Sequence, residues 1–192
     1  MDLLETYRRS LVEFTARVEQ VGAGQWSATT PCPGWDVRTL VNHVVGEEHW
    51  SVALFAGRTI AEVGDRYDGD QLGADPVEAA RDAAAQAELA ATHPGARERT
   101  VHLSAGDTPA EEYLHQLVAE HLVHGWDLAV AIGADPRMDA DAVAECARWF
   151  SRRVGDYQHH GLVRAGVGLP AADEDQQDRL IAAFGRDPDW TP

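Results

Sequence analysis

His43 and Glu47 stand four residues apart in this chain. So do Glu120 and His124, with Asp127 three residues further on. At about 100° per residue, Leu40, His43, Glu47, Trp50 and Leu54 fall on one stripe of a helix. Leu40, Trp50 and Leu54 are large and apolar, so the stripe is expected to face a dry core. A carboxylate there needs a cationic partner. From Leu117 to Ile132 the chain is apolar around most of the helical circumference, and Glu120, His124 and Asp127 share about 60° of arc. Side chains at i and i+4 lie over one another, so Glu120 and His124 can grip one cation. With His43 they make two imidazoles and one carboxylate. That set suits Zn²⁺ foremost, and Ni²⁺ or Fe²⁺ as other first-row divalent ions. Three protein ligands leave positions open for water or a thiolate, either of which loses its proton near neutral pH beside such an ion. Glu47 would accept an imidazole N–H, supply a fourth ligand or act as a base. Asp127 or Glu47 would assist proton movement.

A polar stripe is ordinarily the solvent face of a helix. These two stripes differ because they interrupt helices that are otherwise strongly apolar. A rival reading is a non-catalytic bundle, binding a small molecule or docking a partner, with its metal closed off by Glu47 as fourth ligand. His121 lies within the apolar arc and reads as a packed histidine. Cys32, between two prolines, reads as a free structural thiol because no base flanks it, and Cys146 as small core filling. Trp35, Trp50 and Trp126 read as packing anchors. Val123, Trp126 and Val130 would leave an apolar side of their helix open, so the chain is expected to be a monomer or a homodimer.

The elements that must position these groups are helical. Apolar periodicity predicts core helices over about residues 2–21, 36–57, 75–92 and 108–133, with a C-terminal extension over 139–192. Asp36 and Asp75-Pro76 are helix-start signals, as is Thr108-Pro109-Ala110-Glu111, and Gly133 is a stop. Residues 58–74 are rich in Gly and Asp and read as a long loop. Arg99 to Ser104 reads as a short extended piece. A fifth helix is expected over 139–154, an irregular stretch over 158–172 and a short helix from Asp173 to Phe184. No convincing strand pair is apparent, so the fold class is all-α, a four-helix bundle within one domain.

Composition narrows the function classes. The 192 residues carry 32 acidic and 16 basic side chains, a net charge of −16. A surface this acidic repels phosphate backbones and anionic lipid, so no nucleic acid and no membrane partner is expected. Every basic residue is Arg, which excludes Schiff-base chemistry by a lysine of this chain. No apolar run is long enough to span a bilayer, Asp2 and Glu5 deny the N-terminus a basic leader, and two cysteines make no disulfide framework. The expected compartment is the cytoplasm.

Two long stretches carry a resemblance. Thr30-Pro31-Cys32-Pro33-Gly34-Trp35-Asp36 with Val37 through Gly46, and Glu120-His121-Leu122-Val123-His124-Gly125-Trp126-Asp127-Leu128-Ala129, resemble the mycothiol-dependent maleylpyruvate isomerase N-terminal family. The tail from Asp178 to Trp190 looks like the end of its shorter actinobacterial members. The resemblance implies a DinB/YfiT-like metal-binding bundle with additional C-terminal helices. It implies one divalent metal on His43, Glu120 and His124, the residues the helical wheel selects independently. It also implies a low-molecular-weight thiol, mycothiol or bacillithiol, bound as thiolate at that metal. That thiolate would isomerise, or be transferred to, an electrophilic small molecule.

Overall fold

The computed structural model describes residues 2–104, 106–155 and 175–192. Its second helix, α2 (Val37–Phe55), starts where Asp36 accepts hydrogen bonds from Thr39 N (2.8 Å) and Thr39 Oγ1. The carboxylate satisfies one of the amides that a helix start leaves bare. The first helix, α1 (Leu3–Val18), ends three residues short of the expected boundary. Two turns follow instead, over residues 19–21. The expected loop 58–74 contains a one-turn helix, α3 (Ile60–Val63). There Thr59 and Glu62 cap each other reciprocally, a Thr-x-x-Glu box that the surrounding Gly and Asp masked. Helix α4 (Pro76–Thr92) begins with Asp75 accepting from Glu78 N and Pro76 in the first turn.

The largest departure from the sequence reading lies ahead of the next helix. Strands β1 (Thr100–Leu103) and β2 (Gly106–Pro109) pair antiparallel, with Val101 opposite Thr108. Gly106, which opens β2 opposite Leu103, takes φ 118, a conformation that side chains disfavour. Thr108 therefore belongs to a strand and its hydroxyl donates to Gly106 O rather than capping a helix. Helix α5 (Ala110–Ile132) starts directly after Pro109 and stops at Gly133, which takes φ 72. Asp139 caps a shorter α6 (Ala140–Phe150) than expected, and Asp175 caps α7 (Gln176–Ala183). The expected irregular stretch 158–172 and the start of the last helix at Asp173 lie outside the described residues.

Helices α1, α4, α2 and α5 pack in a ring, each against the next, with α6 against α5, α1 and α7. The all-α class therefore holds, with one small hairpin added. Ala80, Ala83, Ala84, Ala87 and Ala91 are the buried face of α4, and their small side chains let α2 approach closely. Phe14, Leu40, Val44 and Leu128 fill one part of the core, and Leu114, Leu117, Leu122 and Phe150 another. Val123 and Trp126 are buried in that second part beside residues of α6 and α7, so the apolar side of α5 is covered within the chain and not left open. Among the described residues no helix is long and apolar enough to cross a membrane.

One ionisable pair sits wholly inside the bundle. Glu48 and His121 have side chains 1% exposed, with Glu48 Oε1 3.6 Å from His121 Nε2. Ser10 Oγ donates to Tyr7 O at 2.8 Å, so it accepts from His121 Nδ1 at 3.0 Å. Nε2 is then a lone pair facing Glu48. Burial pushes His121 down to about 4 and pushes the Glu48 carboxyl well above the carboxylate range. Glu48 is therefore held protonated and His121 neutral. A carboxyl raised by folding contributes stability that is complete below its unfolded pKa and lost as pH rises through the folded one. As pH rises from the unfolded carboxylate pKa toward the raised folded one, this group is expected to lower wild-type stability by up to about 1.4 kcal/mol per pH unit, opposed below pH 6.5 by His121, whose lowered pKa gives the reverse slope. Glu48→Gln removes that slope. Urea unfolding of both proteins at several pH values checks it, and parallel pH curves would contradict the assignment.

Candidate metal centre

Helix α2 supplies His43 and Glu47, and α5 supplies Glu120 and His124, to one cavity, with Asp127 of α5 buried beside His124. One oxygen of Glu120, Oε2, lies 3.3 Å from His43 Nε2 and 3.1 Å from His124 Nε2. All three donor atoms fall within 4.8 Å of one another. Two metal–ligand bonds of about 2.1 Å at a tetrahedral angle put their donors about 3.4 Å apart, so this triad has the span of one small divalent ion. The two imidazole rings meet edge to face at 5.2 Å. His43 and Glu120 are 31% and 39% exposed, at the floor of a cavity of about 980 Å³. The stripe containing His43 and Glu47 therefore lines an open pocket from His43 to Leu54, and only Leu40 is dry core.

Without an ion, the three groups hold one another electrostatically. Burial opposes ionisation of Glu120, but its bonds to His124 and His43 outweigh this and hold the carboxylate well below the usual range. Burial likewise disfavours charge on His124, yet its bonds to Asp127, Cys32 and Glu120 raise it well above an ordinary imidazole. Glu47 has no such partner among the described residues. Burial and the neighbouring Glu120 charge both raise it, and the two histidines offset only part of that.

Behind the triad, Asp127 is fully buried, with its Oδ2 3.0 Å from His124 Nδ1. A carboxylate there accepts a hydrogen bond from Nδ1–H and so turns the Nε2 lone pair toward the pocket, as ligating histidines require. Cys32 Sγ donates to the same Oδ2 at 3.2 Å. Cys32, His124 and Asp127 thus form a second group of three donors, but this one already contains a cation. Arg186 Nη2 donates to Asp127 Oδ2 at 2.8 Å and to Cys32 Sγ at 3.0 Å, and its Nε donates to Asp127 Oδ1 at 3.2 Å. Burial opposes ionisation of Asp127, and His124 and Arg186 overcome it. The positive charge that a buried acid demands is supplied on this side by guanidinium.

The loop before α2 sets the third wall. Trp35 N donates to Cys32 O, Cys32 N donates to Thr30 Oγ1, and Gly34 takes φ 83 at the turn. Trp35 is thereby held against both imidazoles, 4.8 Å from the His43 ring and 5.8 Å from that of His124. Trp35 and Trp50 both line the pocket as well as packing, while Trp126 is core. Sequence reasoning missed Arg186 and the partners of Cys32. The one available signal was that an acid as buried as Asp127 must find a cation, and spacing does not say which arginine of a distant tail provides it.

Residues 7–129 match the family described as mycothiol maleylpyruvate isomerase N-terminal domain. The chain is 31% identical to the uncharacterized proteins MT0763 and Rv0738 from two strains of Mycobacterium tuberculosis, over 97% of this chain and 98% of each relative. Its fold is similar to the crystal structure of the mycothiol-dependent maleylpyruvate isomerase, with a TM-score of 0.60 and 19% identity over 97% of this chain and 82% of that one.

Removal of each group should have a distinct effect on metal content. Purified wild-type protein incubated with Zn²⁺ is expected to hold about one ion per chain, and His43→Ala or Glu120→Ala to hold none after desalting. Asp127→Asn keeps the three candidate ligands but loses the charged acceptor that orients His124, so zinc affinity should fall about 10–100-fold. Elemental analysis and competition with a chromogenic chelator measure both. Unchanged zinc content in His43→Ala would refute the ligand set.

Proposed function

The chain belongs to the mycothiol maleylpyruvate isomerase N-terminal domain family, and from that membership we propose that it is a divalent-metal enzyme acting on a thiol and an electrophile. The thiol is of low molecular weight, mycothiol in the first instance, and the electrophile is a small molecule that is isomerised or receives the sulfur. The observation that carries this reading is the meeting of His43 Nε2 and His124 Nε2 on one oxygen of Glu120, facing an open pocket. His43, Glu120 and His124 hold the ion. When bound, a divalent ion there supplies Lewis acidity that favours a deprotonated sulfur near neutral pH.

The remaining chemistry falls to side chains. Asp127 fixes the tautomer of His124 from behind and so acts by positioning. Glu47 lines the pocket one helical turn from His43, and its raised carboxyl retains a proton more readily than an ordinary glutamate. In an addition, the sulfur–carbon bond forms, the S–H proton leaves, and one proton must reach the carbon that takes the electron pair. In a transfer, the departing group takes the pair and the proton. Glu47 is the pocket carboxyl that can hold this proton between the two events. Isomerisation of a double bond needs only that the sulfur add, the new single bond rotate, and the sulfur leave.

Zinc-loaded protein with mycothiol and a panel of electrophiles, maleylpyruvate among them, is expected to yield an S-conjugate or an isomer by mass spectrometry. Omitting the thiol or stripping the metal should abolish turnover. Glu47→Gln should retain its zinc and lose about 10²-fold or more in turnover. Equal turnover without thiol would overturn the proposal.

A further inference from the structure

The cavity above the triad is two-ended. Helices α2 and α5 run along it in opposite directions: His43, early in α2, meets Glu120 of α5, while Phe55 at the end of α2 packs on Tyr113 near the start of α5, with ring centroids 5.5 Å apart. His43 and Leu54 both line the cavity, and α2 rises about 16 Å between them. The end away from the triad is closed by the hairpin, which contributes Leu103, Ser104 and Thr108. A bridge between Thr59 and His102 sets Ile60 beside it.

Charge is confined to the triad end. His43, Glu47, Glu120 and His124 stand there, and Arg186 joins them through its bonds to Cys32 and Asp127. The divalent ion proposed on the triad adds its charge to the same end, so an anionic head, thiolate or carboxylate, belongs there. Among the described residues, Tyr113 is the one ionisable group lining the cavity between Glu120 and the hairpin, and burial holds its phenol protonated.

The hairpin end is uncharged without being apolar. Gln116 lines it one turn from Glu120 on α5, about 6 Å nearer the hairpin, and Ser104 and Thr108 line it from the hairpin itself. Thr108 Oγ1 donates to Gly106 O, which leaves its lone pairs to accept. Ser104 is exposed and Gln116 half-buried, and neither side chain hydrogen-bonds to another described residue. Hydrocarbon placed there would strip these groups of water and return no bond, and a charged group would find no counter-charge. A ligand with hydroxyl or amide groups and no charge replaces the bonds to water, while Ile60 and Leu103 cover its carbon.

We propose that Gln116, Ser104 and Thr108 are the specificity-determining subsite for the body of the thiol, that this body is uncharged and rich in hydroxyl or amide groups, and that it lies along α5 with its sulfur at the triad. A small electrophile must meet the sulfur at the triad end and cannot also reach the hairpin. A thiol anchored by its sulfur can. The assignment to the thiol rests on the thiol-enzyme reading, while the preference for an uncharged hydrogen-bonding ligand belongs to the hairpin end itself.

Thioether probes, which have no S–H to ionise, test this without turnover. S-Methylmycothiol carries a body of uncharged sugar and cyclitol, and S-methylglutathione an ionised peptide. Calorimetry is run on the metal-free full-length protein, so that no carboxylate of a probe finds the ion. S-Methylmycothiol is expected to bind at least about tenfold more tightly than S-methylglutathione. Gln116→Leu keeps the size of the side chain and loses its amide. It should weaken S-methylmycothiol about tenfold and leave S-methylglutathione unchanged, and Ser104→Ala should do the same to a smaller extent, about threefold. No binding of S-methylmycothiol at millimolar concentration, no preference over S-methylglutathione, or wild-type affinity for S-methylmycothiol in both variants would each overturn the proposal. Turnover that proceeds equally without thiol would overturn the enzyme reading and leave this preference standing, so the two fail separately.

Discussion

One oxygen of Glu120 is the point on which the site turns. It is shared by two imidazoles that come from different helices, and its contact with His43 ties α2 to α5 beside the cavity, as the Glu48–His121 pair does inside the bundle. The carboxylate is stable there because both neighbours can be donors or, with an ion between them, joint ligands. The apolar packing of Leu40 and Val44 with Leu128 holds the two helix backbones in register. A shift of either helix by one residue would turn its ligand about 100° away. The bundle core is in this sense the scaffold of the candidate metal centre.

Two acids at this end of the bundle find their positive charge in different ways. Asp127 is closed off from solvent and is met by Arg186 and by His124. Glu120 is open to the cavity and is met by imidazoles that a divalent ion can replace as the cationic partner. His124 belongs to both systems, through Nδ1 on one side and Nε2 on the other. The division explains why one of the two three-donor groups is suited to an exchangeable ion and the other is already neutralised. It also explains the position of the C-terminal tail, since Arg186 reaches the site only if α7 docks on α6.

Much of this was legible in the sequence because it rests on local periodicity. Glu120, His124 and Asp127 share a face by spacing alone, and the helix-start signals at Asp36 and Asp75 operate through backbone amides three residues away. The pairing of His43 with Glu120 was legible only as a conjunction of two polar stripes on apolar helices. What spacing could not express was long-range. The hairpin depends on Val101 meeting Thr108 seven residues on, and its strands are four residues each, too short to show alternation. Cys32 looked inert because its partners, Asp127 and Arg186, are 95 and 154 residues away in the chain. The stripe through His43 and Trp50 looked like core because helical periodicity cannot separate a packed interior from a cavity wall.

The account is most directly tested by X-ray absorption at the zinc edge. The prediction for zinc-loaded protein is a first coordination shell of nitrogen and oxygen at about 2.0–2.1 Å, with outer scattering from two imidazole rings and no sulfur. Addition of mycothiol should bring in one sulfur at about 2.3 Å. Sulfur present before any thiol is added would place the ion on Cys32 and its neighbours, and a shell of water oxygens alone would mean there is no protein site; either result contradicts the account.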